Sequence, residues 1–271
     1  MTTVSQTDAK GTALITGAST GIGAIYADRF ARRGYDLILV ARDKAKLTAL
    51  AERLAAETGR SVEGLAADLL DPAQLATVEA RLRDDPAITL LLNNAGMATT
   101  VGVLDNDPDA YDRLIRLNVL APTRLTVAAA PGLVARGGAI INLSSVLALA
   151  PEMFNGVYSG TKAHILNFSQ SLAADLGPKG VYVQAVLPGA TRTEIWERAG
   201  HDVDALPADW VMDAQEMVDA ALLGFDRRET VTIPPLEEIA DFDAMNAIRQ
   251  SLGPKLSRAR PASRYRAAAD A

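Results

Sequence analysis

Cysteine is absent from the 271 residues, and histidine occurs only twice, at His164 and His201. No disulfide can form, and the usual zinc spacings cannot be written, so a structural metal is not expected. Aromatic side chains make up 5% of the chain, the first ten residues are polar, and no apolar run approaches the roughly 18 residues that a membrane span needs. Neither a secretion signal nor a membrane anchor is expected, and the expected compartment is the cytoplasm. Positive charge is also scarce. The net charge is -6 and the densest cationic stretch, Arg258 to Arg266, lies near the end, so no nucleic-acid-binding face is expected.

What the chain does contain is 49% hydrophobic residues, enough for a sizeable core, and one domain over 1–271 is the simplest organisation. Short apolar runs recur at 13–16, 37–41, 65–67, 88–92, 139–143 and 181–187, with helical patterns between most of them. Such alternation predicts an α/β fold, a doubly wound parallel sheet with helices on both faces. Asp71-Pro72 and Asp107-Pro108 each set a capping acid before a proline suited to the first helical position.

After Pro188-Gly189 the alternation stops, and an insertion containing Trp196, Pro207 and Trp210 predicts a substrate lid within 190–224. A last strand is expected at 230–233. The segment 236–271 then reads as a helix, a Gly253-Pro254 stop and a basic tail carrying Arg258, Arg260, Arg264 and Arg266.

The first apolar run exits into Thr16-Gly17-Ala18-Ser19-Thr20-Gly21-Ile22-Gly23. Glycine permits a tight turn and close backbone approach, and the following helix would aim its free amides at a phosphate. Gly17, Ser19, Gly21, Ile22 and Gly23 are therefore candidates for a dinucleotide site. At the end of the second run an acid would favour a free ribose 2′-hydroxyl, whereas an arginine favours a 2′-phosphate. Ala41 stands in the acid's place and Arg42 follows it; Asp43 is explained as a helix N-cap. NADP(H) is expected over NAD(H).

Tyr158 and Lys162 are four apart in a helical pattern, so their Cβ atoms lie roughly 5–6 Å apart on one face. An ammonium there would favour ionisation of the phenol, making an acid/base pair. His164 lies about 120° further round the same helix and reads as structural. Pro122 cannot donate to the carbonyl of Asn118, which leaves that oxygen free to hold a water that could relay protons from Lys162.

Gly17, Gly21 and Gly23, then Asn93-Asn94-Ala95-Gly96, Ser145, and Tyr158 with Lys162 together resemble the short-chain dehydrogenase/reductase family, over about 12–189. The resemblance implies a Rossmann fold and an enzyme that transfers hydride between nicotinamide and a carbonyl or secondary alcohol. It selects Ser145, thirteen residues before Tyr158, to bind the substrate oxygen, and makes Asn118 the fourth catalytic residue. It further implies that Asp68 contacts the adenine, that Asn94, Ala95 and Gly96 line the cofactor, and that Pro188, Gly189, Thr191 and Thr193 border it, with Tyr158 and Lys162 holding the ribose side. Assembly as a dimer or tetramer through the helices carrying Asn118 and Tyr158 is implied too, although an Asp-Gly-Gly ending common in the family is replaced by Thr230 to Pro235.

Val146, Leu147, Met153 and Phe154, with Ile195, Trp196, Val203, Leu206, Trp210, Val211 and Met212, suggest a fairly apolar small-molecule substrate. Two other readings compete. A catalytically idle dinucleotide sensor would keep the glycines, and Ser159-Gly160-Thr161-Lys162 also fits the Ser-x-x-Lys pattern of acyl transferases, without its companion motifs.

Overall fold

Strands whose every residue is buried cannot alternate apolar and polar, and four strands here are of that kind. They are β1 (Thr12–Thr16), β5 (Ala139–Leu143), β6 (Tyr182–Val186) and, at its two residues, β7 (Val231–Thr232). With β2 (Asp36–Ala41), β3 (Val62–Ala66) and β4 (Ile88–Asn93) they form one parallel sheet in the order β3-β2-β1-β4-β5-β6-β7. Order reverses between β1 and β4, and a crevice opens beyond the carboxyl ends of the strands at such a point. The computed structural model describes residues 10–105 and 107–266. The polar stretch 1–9 and the last residues of the tail, 267–271, lie outside the described residues.

The first unit, Met1–Pro235, holds the whole sheet; the second, Leu236–Ala271, carries α9 (Ile239–Leu252) and two short 3₁₀ turns. In the first unit, α1 (Gly21–Arg32), α2 (Lys44–Thr58) and α8 (Ala214–Asp226) belong to one layer, whose core includes Ile15, Phe30, Leu39, Leu92 and Met217. The opposite core, around Leu14, Ile38, Leu91 and Ile140, gathers α3 (Pro72–Asp84) and α5 (Ala121–Arg136). Completing the first unit are α4 (Pro108–Ile115), α6 (Gly156–Leu176) and α7 (Ile195–Arg198).

Local chemistry sets the boundaries. Asp71 accepts from the amides of Ala73 and Gln74, Asp107 from Asp109, Asn155 from Val157 and Tyr158, and Asp213 from Gln215 and Glu216. Each satisfies donors that a helix start leaves open. The third strand falls at Val62–Ala66 rather than at 65–67, because it is an edge strand whose Glu63 and Gly64 are exposed and carry no apolar signal.

The helical run Pro108–Arg136 is, by length and composition, apolar enough to cross a membrane, the one such run among the described residues. Counting uninterrupted apolar residues did not anticipate it. Its apolarity has a use inside the fold, since Leu114, Ala121, Leu125, Ala129 and Leu133 are buried and α5 packs on α3 and β4.

Candidate active site

The turn after β1 is built for close approach. A Cβ on Gly17, whose φ is +65°, would lie 2.8 Å from Nδ2 of Asn94, and one on Gly23 would lie 2.3 Å from the carbonyl oxygen of Gly17. Asn94 explains the first contact: its Nδ2 donates to the carbonyls of Thr16 (2.9 Å) and Gly17 (3.1 Å), tying the end of β4 to the turn. The helix that follows starts at Thr20 with no side-chain cap, unlike α2, α3, α4, α6 and α8, so its first amides remain open to a ligand.

A groove of about 660 Å³ runs along this turn, and Gly17, Ser19, Gly21, Ile22, Arg42, Asp68, Asn94, Ala95, Gly96 and Thr193 all line it. Gly23 does not; it is the contact glycine that lets α1 sit against the turn. Asp43 caps α2 by accepting from the amide of Lys46 at 3.0 Å, which leaves Arg42 as the charged group presented at the end of β2. Among the described residues no carboxylate pairs with Arg42. A cradle of glycine backbone, an open helix start and an arginine beyond β2 fits a phosphorylated dinucleotide.

An adjoining cavity of about 460 Å³ shares Ile22, Asn94, Gly96 and Thr193 with the groove and holds Ser145, Tyr158, Lys162, Pro188, Gly189 and Thr191. Its remaining wall is mostly apolar, with Val146, Leu147, Met153, Phe154, Trp196 and Leu206. Phe154 meets Tyr158 edge-on at 5.6 Å and Trp196 at 6.5 Å. The segment after Gly189 is pinched at its base, where Thr191 bridges Met212 and the amide of Met212 donates to the carbonyl of Ala190 at 2.9 Å. Segment 193–211 therefore borders the cavity, while α8 packs on α1 with Arg29 paired to Asp219 at 2.7 Å.

Lys162 is buried, and its Nζ donates to the carbonyl of Leu143 at 3.0 Å and lies 5.7 Å from the Tyr158 ring centre. Burial pulls this ammonium down to about 8. The phenol moves opposite to the sequence expectation: burial pushes Tyr158 up to about 12, and only the Ser145 hydroxyl works against it. From the chain's own groups, then, desolvation prevails over the Ser145 hydrogen bond. Ser145 Oγ accepts from the amide of Leu147 at 3.1 Å and donates toward the carbonyl of Pro188 at 3.5 Å, a long bond that a better acceptor could replace.

Asn118 lines neither cavity. It sits behind them, 3% exposed, in a π-helical turn, Arg116–Leu120, where the amide of Ala121 closes onto the carbonyl of Arg116. Its side chain accepts from the amide of Met97 (2.9 Å) and donates to the carbonyl of Met97 (2.9 Å) and to Thr161 Oγ1 (3.1 Å). It thereby locks the segment after β4 to the helix bearing Tyr158. Sequence reasoning missed this, along with Lys46 and Arg198, which also line the groove.

His164 takes no part; it lies against Phe168 and within 3.3 Å of Thr123 Oγ1, and burial lowers its basicity. Ser159 is buried and donates to the carbonyl of Gly156 at 3.1 Å, facing neither cavity, which removes the geometry a Ser-x-x-Lys nucleophile requires. Among the described residues no cluster of His, Asp and Glu could hold a metal.

Residues 11–204 match the family described as short chain dehydrogenase. The chain belongs to the short-chain dehydrogenase/reductase family. A short-chain dehydrogenase from Sphingobium yanoikuyae, solved in complex with NADPH, is 57% identical with a TM-score of 0.92, covering 94% of this chain and 100% of that one. The bulky-bulky ketone specific alcohol dehydrogenase from Comamonas testosteroni is 48% identical with a TM-score of 0.87, covering 94% and 98%. Serine 3-dehydrogenase of Rhizobium radiobacter is 37% identical over 186 residues, 68% of this chain and 73% of the relative. This short-chain dehydrogenase/reductase keeps its glycine groove and its hydroxyl-lined cavity side by side, the arrangement a hydride transfer between two bound molecules requires.

Proposed function

We propose that this protein is an NADP(H)-dependent oxidoreductase that reduces fairly apolar, bulky ketones and oxidises the corresponding secondary alcohols. One observation carries the reading: Ser145, Tyr158 and Lys162 converge on an apolar cavity that opens onto the glycine groove. When bound, nicotinamide supplies or takes up the hydride. Ser145 Oγ then holds the substrate oxygen, and Tyr158, a phenol protonated at neutral pH, donates its proton as that oxygen gains negative charge. Lys162 would hold the ribose side of the cofactor, and its ammonium would steady the phenolate left on Tyr158 until a proton returns from solvent. The carbonyl of Asn118, which the imide nitrogen of Pro122 cannot bond, is the place for a relay water toward solvent.

Arg42 supports the choice of NADP(H), as does the NADPH complex of the Sphingobium yanoikuyae relative. Phe154, Trp196 and Leu206 support an apolar substrate, and the ketone specificity of the Comamonas testosteroni relative supports a bulky one. Assembly as a symmetric homo-oligomer, with the dimer as its smallest form, belongs to the same reading. Exposed Ile115, Leu120 and Val127 on the run Pro108–Arg136 support it.

Tyr158→Phe tests the chemistry. The variant should bind NADPH as wild type does, read by the change in nicotinamide fluorescence, while ketone turnover falls by about 10²-fold or more. Unchanged turnover would remove Tyr158 from the reaction. A wild-type protein that binds NADPH but reduces none of a broad ketone panel would favour the dinucleotide sensor instead.

A further inference from the structure

Two cations besides Arg42 line the dinucleotide groove, and both are tied to one lid carboxylate. Lys46, in the first turn of α2, has its Nζ 3.9 Å from Oε2 of Glu194. Glu194 immediately precedes lid helix α7 and is also bonded by Arg198, whose guanidinium reaches Thr20 Oγ1 at 3.4 Å in the glycine turn. Arg42, Lys46, Thr20, Glu194 and Arg198 all border the same groove. A charge contact thus crosses the groove mouth, from the helix after β2 to the lid.

We propose that Lys46 is a second cation for the cofactor's ribose 2′-phosphate and that Glu194 competes with that phosphate for it, so that the lid helps set the preference between phosphorylated and unphosphorylated dinucleotides. The proposal rests on the reading that this groove takes NADP(H). Lys46 and Glu194 are each about half exposed, at 50% and 45%, and an exposed pair at this distance is worth at most about 1 kcal/mol. A phosphate monoester carries about −1.5 to −2 charge with three acceptor oxygens, so beside Arg42 it outbids one carboxylate. Asp43, the other nearby acid, is already engaged as the cap of α2. Glu194 is not left unpaired by the exchange, because Arg198 keeps it. An unphosphorylated dinucleotide offers Lys46 no such partner, and the strap between α2 and the lid persists.

Adenosine 2′,5′-bisphosphate and 5′-AMP probe the site without the nicotinamide, and calorimetric titration measures each on wild type, Lys46→Met, Glu194→Gln, the double variant and Arg42→Ala. Wild type should prefer the bisphosphate. Lys46→Met should weaken the bisphosphate by about fivefold and leave 5′-AMP unchanged, whereas Glu194→Gln should tighten the bisphosphate by about threefold and again spare 5′-AMP. In the double variant the gain from Glu194→Gln should disappear. If Lys46→Met changes both ligands equally, or if the Glu194→Gln gain is missing or survives without Lys46, the competition is refuted even though Arg42→Ala still abolishes the preference. If wild type binds both ligands alike, the NADP(H) reading fails and this inference falls with it.

Discussion

Lys162 places a full charge where water is scarce, and the cost can be read in the free protein. Its folded value of about 8 lies below the model-peptide value of 10.5. The folded chain therefore holds fewer protons than the unfolded chain between those values, and stability rises with pH across that window. Below about pH 8 the penalty is complete; above about 10.5 it is gone. Replacing Lys162 by Met should raise the cofactor-free Tm at pH 7, a gain on the order of 1–3 kcal/mol, while abolishing catalysis. The gain should shrink as pH climbs from 8 toward 10.5, which thermal melts of both proteins across that range would measure. A constant difference would mean that desolvation is not what lowers this amine. The Tyr158–Lys162 pairing was legible from a spacing of four, but the direction of the phenol's shift was not. Spacing reports proximity, whereas the shift depends on how much water the surrounding chain excludes.

At the level of the element, the π turn at Arg116–Leu120 is the least expected feature and one of the most consequential. A turn closed over five residues changes the directions of the side chains within it, and Asn118, at its middle, faces both Met97 and Thr161. Asn118→Ala removes three hydrogen bonds and takes from the amide and carbonyl of Met97 the side chain they bond, while the Thr161 hydroxyl keeps its bond to the carbonyl of Tyr158. The loss should be about 2–3 kcal/mol in denaturant unfolding and a fall in kcat larger than any change in KM. An Asn118→Ala protein with wild-type stability and kcat would show that the lock is idle. Pro122 marked this place in the sequence as one without a normal helical bond, yet the proline cannot say whether the chain answers with a kink, a water or a wider turn. Capping acids at Asp71 and Asp107 were legible because their bonds are local, within three residues.

Across the whole molecule, the parallel sheet was readable because buried strands are short, continuous apolar runs, and five of the seven gave that signal cleanly. The edge strand Val62–Ala66 did not, since exposure frees its residues from any pattern. Division at Pro235 into two compact units comes just after the last strand of the sheet, Val231–Thr232. The proposed oligomer places Val127, 66% exposed, at an apolar face of the run Pro108–Arg136. Val127→Glu should shift the mass measured by light scattering toward the monomer without lowering the unfolding free energy of the subunit by more than about 0.5 kcal/mol, as expected for a surface change. An unaltered mass would move the interface elsewhere.

The bridge between Thr191 and Met212 has a consequence for how such a protein diversifies. Because both ends of the intervening loop are clamped to each other, its tip can be lengthened, trimmed or exchanged while the sheet beneath never feels the difference. Selection can then rewrite the wall that Trp196 and Leu206 give the cavity, and leave the elements that carry Ser145 and Tyr158 as they are.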